Sequence, residues 1–268
     1  MPVSRGVTLA ELLLALVLLG LVGALVTRTA LQAERVARSH EERTRLHAGL
    51  DAAAGFLRAE LADLGPGDLA QIAPESLRYR ATRGVGVTCL VATNEVRLVR
   101  ASLRADRLPQ AGRDSLWMPL SADDPRQPDT GGVYLPITSV ANASCGGTAA
   151  LALGTFIDTV AHPLAALPPG VGLRIFEVMQ ARLYTSLGSG WLGARSVTAG
   201  EVIQPLAGPF TLAASRFAGW DSAGVPTLAA PLVRSLGAVL AGTRGNWPAS
   251  AGTVTESTTI LLAPANLP

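Results

Sequence analysis

Between Leu12 and Thr27 the chain carries no charged residue. With its flanks this run approaches the ~20 apolar residues that a helix needs to cross a bilayer. The pattern changes at Arg28 without a break. From there to Leu64 no proline occurs, and Leu46, Leu50, Ala53, Leu57, Leu61 and Leu64 recur at spacings of three and four, the mark of one apolar helical stripe. Six arginines and six acidic residues cover the other faces, including Glu34 with Arg38 and Glu41 with Arg45 at i, i+4. A single helix from Val7 to Leu64 would be about 85 Å long. Gly65-Pro66-Gly67 then stops it.

From Asp68 onward the period shortens to two. "SLRYRAT", "VGVTCLVA", "NEVRLVRASLR", "GLRIFEVMQARLYTSL", "GPFTLAASRFAGWD" and "GTVTESTTILLA" alternate or are rich in β-branched residues, and Gly and Pro divide them. These runs predict an antiparallel β-rich head. Residues 109–147, with "LSADDPRQPDTGG", hold more turn formers and are expected to form a long surface loop region. The fold class is therefore α+β: a long N-terminal helix, apolar then amphipathic, packed on a β-rich head.

Composition narrows the function classes. The chain has 268 residues, 49% of them hydrophobic, which suffices for a buried core. The net charge of +2 gives no general preference for polyanions, and all 22 basic residues are arginine. Residues 65–113 hold eight arginines against four acids, with Arg78 and Arg80 alternating with Leu77 and Tyr79. That face could meet nucleic-acid phosphates. It has little aromatic interleaving for bases to stack upon, so it reads as the polar side of a half-buried strand, and nucleic acid is not expected as a partner. Cys89 and Cys145 both follow the apolar segment, in neither CxxC nor metal-ligand spacing; in an oxidising compartment they are expected to form one disulfide.

Little else points to catalysis. "GSGWLG", Gly188–Gly193, matches GxGxxG in form but lacks a placed acid about 20 residues later, so a hairpin connection is expected there. His40 and His47 share a helix face without the carboxylate of an HExxH site, and His162 stands alone before Pro163. Asp123, Asp124 and Asp129 fall in one stretch that could hold calcium, although the spacing is not that of an EF-hand loop. No other cofactor and no enzymatic activity are expected.

One residue inside the apolar run needs an explanation. Glu11 is an acid at the end of a membrane-seeking segment, and a charge at the centre of such a helix costs about 2.5 kcal/mol or more. Arg5-Gly6 followed by Val7-Thr8-Leu9-Ala10-Glu11 resembles the type IV prepilin signal: a basic leader ending in Gly, an apolar first mature residue, then Thr-Leu-x-Glu. Val7 stands where that family usually has Phe, and the apolar run lacks Pro. The head resembles, more loosely, large minor pilins of the W type and J-type pseudopilins of type II secretion, through "AAGFLRAELADLG" (53–65), "ARLYTSL" (181–187) and "QPLAGPFTLAASRFAGWDSAG" (204–224).

The resemblance implies residues 1–6 as a cleaved leader, 7–27 as the transmembrane and filament-core half of the helix, 28–64 as its amphipathic half and 65–268 as an extracytoplasmic head. It implies cleavage after Gly6 by a prepilin peptidase, methylation of the Val7 amine, and an assembly role for Thr8, Leu9 and Glu11. The new ammonium of one subunit would pair with Glu11 of a neighbour and set axial register. Implied partners are other pilin or pseudopilin subunits, the prepilin peptidase, the inner-membrane assembly platform and the membrane. The implied location is the bacterial inner membrane with the head in the periplasm, then a filament. Two readings stay open beside a minor pilin: a J-like pseudopilin, and a signal-anchored periplasmic binding domain in which Glu11 snorkels at the membrane interface.

Overall fold

The computed structural model describes residues 8–65, 67–92, 94–119, 132–155, 169–245 and 253–262. Helix α1 runs unbroken over Leu9–Leu61. It ends before Gly65-Pro66-Gly67, at a turn over Ala62 and Asp63. The chain then forms β1 (Leu69–Ala73), β2 (Ser76–Val91), β3 (Glu95–Val99), β4 (Arg104–Ala105), β5 (Asp114–Pro119), β6 (Gly132–Cys145) and β7 (Thr148–Thr155). There follow β8 (Gly172–Ser186), β9 (Ser189–Ser196), β10 (Gln204–Phe210), β11 (Arg216–Trp220), β12 (Ser235–Gly245) and β13 (Thr253–Leu262). The fold is α+β and pilin-like in composition: one long N-terminal helix and a large antiparallel sheet.

The chain divides into two compact units. The first comprises the chain through Ala48 together with Thr243–Glu256. Within it, Leu9 to Val26 expose every large apolar side chain, as a lipid-facing helix would. Thr27 and Thr29 satisfy their hydroxyls on the Gly23 and Val26 carbonyls. The two i, i+4 ion pairs form as the sequence predicts, Arg45 to Glu41 at 3.0 Å and Arg38 to Glu34 in direct contact. Glu256 lies 2.9 Å from His47 Nε2.

The second unit, Gly49–Gly242 with Ser257 onward, is the head with the last turns of α1. Its large sheet is not simply open. Hydrogen-bonded neighbours run β2-β3-β7-β6-β5-β8, and β8 pairs again with β2, so six antiparallel strands close on themselves. Inside this ring lie Val96, Leu98, Leu116, Leu135, Ile137, Leu151, Leu153, Leu173 and Ile175, all buried together. Each contributes about 1.5–3 kcal/mol of gross apolar transfer energy. A barrel this narrow is filled by its own side chains. On β6 the inward positions change phase, from Leu135 and Ile137 to Val140, at a bulge between Ile137 and Ser139.

Beyond the ring, β2 and β8 continue past the barrel and are joined by β1, β9 and β10. Their inward residues include Leu77, Tyr79, Ala81, Ala181, Leu183 and Leu192; the α1 residues Leu50, Ala53, Leu57 and Leu61 are equally buried. Gly49 permits the closest approach: a Cβ there would stand 2.9 Å from the Gly208 carbonyl oxygen of β10. A second sheet, of order β11-β12-β13, is tied to the β1–β2 turn where the Phe217 amide donates to the Pro74 carbonyl at 2.7 Å.

Two sequence expectations need revision and a third holds. "SLRYRAT" and "VGVTCLVA" are one 16-residue strand, kinked where the register shifts between Thr82 and Gly84. Gly84 is there because a Cβ would fall 2.6 Å from the Ala105 Cβ of β4. Residues 109–147 are not one loop region; β5 and β6 supply two staves of the barrel, with "LSADDPRQPDTGG" between them almost entirely outside the described residues. The hairpin at "GSGWLG" does form. Leu187 and Gly188 turn it with φ of 50° and 77°, the left-handed pair of a two-residue hairpin, and Gly190–Gly193 lie in β9.

Candidate functional site

Two places combine charge with specific geometry: the start of α1 and a buried cluster in the head. At the helix start, the Thr8 amide donates to Glu11 Oε2 at 3.0 Å, and the Thr8 hydroxyl donates to the same oxygen at 3.1 Å. The Glu11 amide donates back to Thr8 Oγ1 at 3.3 Å. This is a capping box, in which residues three apart satisfy each other's orphan helix-start groups. The Thr-Leu-x-Glu signature thus has a local meaning the sequence reading did not include: the acid caps its own helix. Thr8, Leu9 and Glu11 come together in the first turn, at the membrane-length apolar end, and all are exposed. Gly6 and Val7 lie outside the described residues, as do Asp123, Asp124, Asp129 and His162.

α1 is the one described helix long and apolar enough to cross a membrane, and none of its apolar window is buried. In the head, Cys89 and Cys145 form a disulfide. It joins β2 to β6, which are not neighbours but are separated around the barrel by β3 and β7. A membrane-length helix and a closed disulfide are the features of a membrane-anchored head in an oxidising compartment.

The buried cluster lies where barrel and open sheet meet. On β8 the inward positions run Leu173, Ile175, Glu177, Met179, Ala181 and Leu183, so one carboxylate interrupts an otherwise apolar row. Across the ladder Glu177 faces Asp114 of β5, a like-charge pair that is unfavourable by itself. Three arginines resolve it. Arg107 grips Asp114 through two bonds of 2.6 and 2.7 Å and reaches Glu177 at 3.2 Å. Arg83 donates to Glu177 at 2.9 Å and to both oxygens of Glu60 on α1 at 3.0 and 3.2 Å. Arg113 Nε stands 2.6 Å from Glu177 Oε1, an ionic contact without hydrogen-bond alignment, while its Nη1 donates to Glu201 at 2.6 Å. The Tyr79 hydroxyl adds a 3.4 Å bond to Glu60.

The electrostatics follow from this packing. Burial favours neutral Glu177, but its hydrogen bonds with Ser196 and Arg83, and the Arg83 and Arg113 charges, hold its pKa below the ordinary glutamate value. Burial works against the Arg83 charge, yet Glu60 and then Glu177 raise its pKa above that of a free arginine. Burial and the nearby Glu60 charge push the Tyr79 phenol well upward. The carboxylates and arginines pair with one another across α1, β2, β5 and β8, which fits a lock between α1 and the barrel. The sequence reading missed this cluster. Its one visible signal was Glu177, a lone acid within "RIFEVMQARL".

Among the described residues no group of three or more His, Cys, Asp or Glu side chains is placed to hold a metal ion. No family model, no curated protein and no solved structure matches the chain at a significant level.

Proposed function

We propose that this chain is a minor type IV pilin-like subunit, anchored in the inner membrane by α1 until processed and then assembled into, or at the tip of, a periplasm-spanning filament. The observation that carries the reading is the unbroken helix Leu9–Leu61, which opens on the Thr8–Glu11 box, with only Val7 between Thr8 and Gly6 in the sequence. In this proposal a prepilin peptidase cuts after Gly6 and methylates the Val7 amine. Glu11 then exchanges its intrahelical partner for the ammonium of an adjoining subunit, which neutralises both charges in lipid and sets the axial step. The other partners are pilin or pseudopilin subunits along the apolar helix and the assembly platform. The head serves assembly and has no enzymatic role.

The capping box makes a discriminating test available. Glu11→Gln keeps an acceptor that can close the box but removes the charge, whereas Glu11→Val removes both. Membrane insertion should survive in both variants, and incorporation into filaments, read by co-purification with other subunits, should be lost in both. Wild-type incorporation of Glu11→Gln would reduce Glu11 to a cap and overturn its register role.

A further inference from the structure

We propose that the solvent face of β2, β8 and β9 is a binding surface for single-stranded nucleic acid. The inference does not depend on the filament reading. Strand pairing brings together residues that the sequence keeps far apart: Arg78 faces Gln180, Gln180 faces Arg195, and Tyr184 faces Trp191. Arg182 lies between these two rows on the same face of β8. With strands about 4.8 Å apart and outward residues about 6.8 Å apart along each, Arg182 stands about 8 Å diagonally from Arg78 and from Arg195. This spacing is comparable to that of successive phosphates on an extended strand.

The charge is one-sided. β1, β9 and the Ser76–Thr82 part of β2 contain no carboxylate, and the only acid of β8, Glu177, points inward. Arg195 is held by a 2.8 Å bond from Nε to Gln180 Oε1, which leaves its terminal nitrogens for an incoming anion. Arg78 and Arg182 are exposed, and no described carboxylate neutralises them. This face suits an anion, but arginines alone would accept any polyanion.

The aromatic pair narrows the ligand. A Cβ on Gly193 would meet Tyr184 Cε1 at 2.6 Å, and one on Gly208 would meet Trp191 Cε3 at 2.8 Å. The missing side chains therefore let both rings lie against the sheet, each only half-buried. Flat rings beside arginines form the platform on which unpaired bases stack, and a duplex has no free base faces to offer them. The arginine-rich stretch 65–113 has little aromatic interleaving of its own, which is why the sequence does not point to nucleic acid; Tyr184 and Trp191 lie about a hundred residues further along the chain.

The test uses the full-length protein in detergent micelles and a fluorescently labelled oligothymidylate, with duplex DNA and dextran sulfate as competitors. Anisotropy should show the single strand bound more tightly than either competitor, with affinity falling as salt rises. Arg78→Ala with Arg182→Ala should flatten the salt dependence by about 0.7 log units per arginine removed. Trp191→Ala should weaken binding about tenfold or more without changing that slope. Circular dichroism and melting curves control for folding, and Arg78→Lys should restore most of the slope lost in Arg78→Ala. No binding at low salt, or binding unaffected by the arginine pair, overturns the proposal. Equal competition by dextran sulfate together with an unaffected Trp191→Ala would make the face a general polyanion surface and overturn it as well.

Discussion

Two glycines of the same helix have opposite reasons to be there. A Cβ on Gly55 would meet nothing within 4 Å, while one on Gly49 would press against the Gly208 backbone. Gly55→Ala should therefore raise head stability by about 0.5–1 kcal/mol, the ordinary helix-propensity gain. Gly49→Ala should lower it by about 1–3 kcal/mol despite the same gain, because backbone cannot yield as a side-chain tip does. Urea denaturation of the two variants checks both signs. Glu177 sets the acid response. Its folded pKa lies below the unfolded one, so its contribution is present above the unfolded glutamate pKa, about 4.3, and is lost as pH falls through the lower folded value. Glu177→Gln should cost about 1–3 kcal/mol near neutrality, because Arg83, Arg107 and Arg113 each lose one charged partner while keeping Glu60, Asp114 or Glu201, and should flatten the stability loss below about pH 4. Denaturant midpoints across pH 3–7 would show it.

At the scale of elements, the barrel depends on a cross-link between strands that are not neighbours. The Cys89–Cys145 loop spans 56 residues, and opening it frees the unfolded chain by about 2–4 kcal/mol. The Cys89→Ser, Cys145→Ser double variant should lose that much stability while keeping its strand content, measured by chemical denaturation and circular dichroism. Long periodic elements were readable from the sequence: the stripe from Leu46 to Leu61 is buried at every expected helical position. The barrel was not. Its closure rests on pairings such as β2 with β8, which join residues about a hundred positions apart and leave no local periodic trace. β5 and β6 were obscured because Pro119 and Pro136 carry turn signals, although Leu116, Leu135 and Ile137 alternate into the core. The buried cluster was hidden for the same reason, since Glu60, Arg83, Asp114 and Glu177 come from four separate elements.

For the molecule as a whole, the division of labour follows from where apolar surface is satisfied. The head buries its own, in a closed barrel and beneath the last turns of α1. The first half of α1 leaves its leucines and valines bare, so it needs lipid or another apolar helix. Glu11 is compatible with either only while its charge is answered, by Thr8 within one chain or by an ammonium from another. That ammonium can arise next to Thr8 only if the chain is cut between Gly6 and Val7. Intact mass and N-terminal peptide mass spectrometry of the membrane-extracted protein from its native cell therefore test the account most directly. A mature chain beginning at Val7 with one added methyl group is the predicted result; a chain that keeps Met1, or that is cut between Ala24 and Ala30, would contradict it.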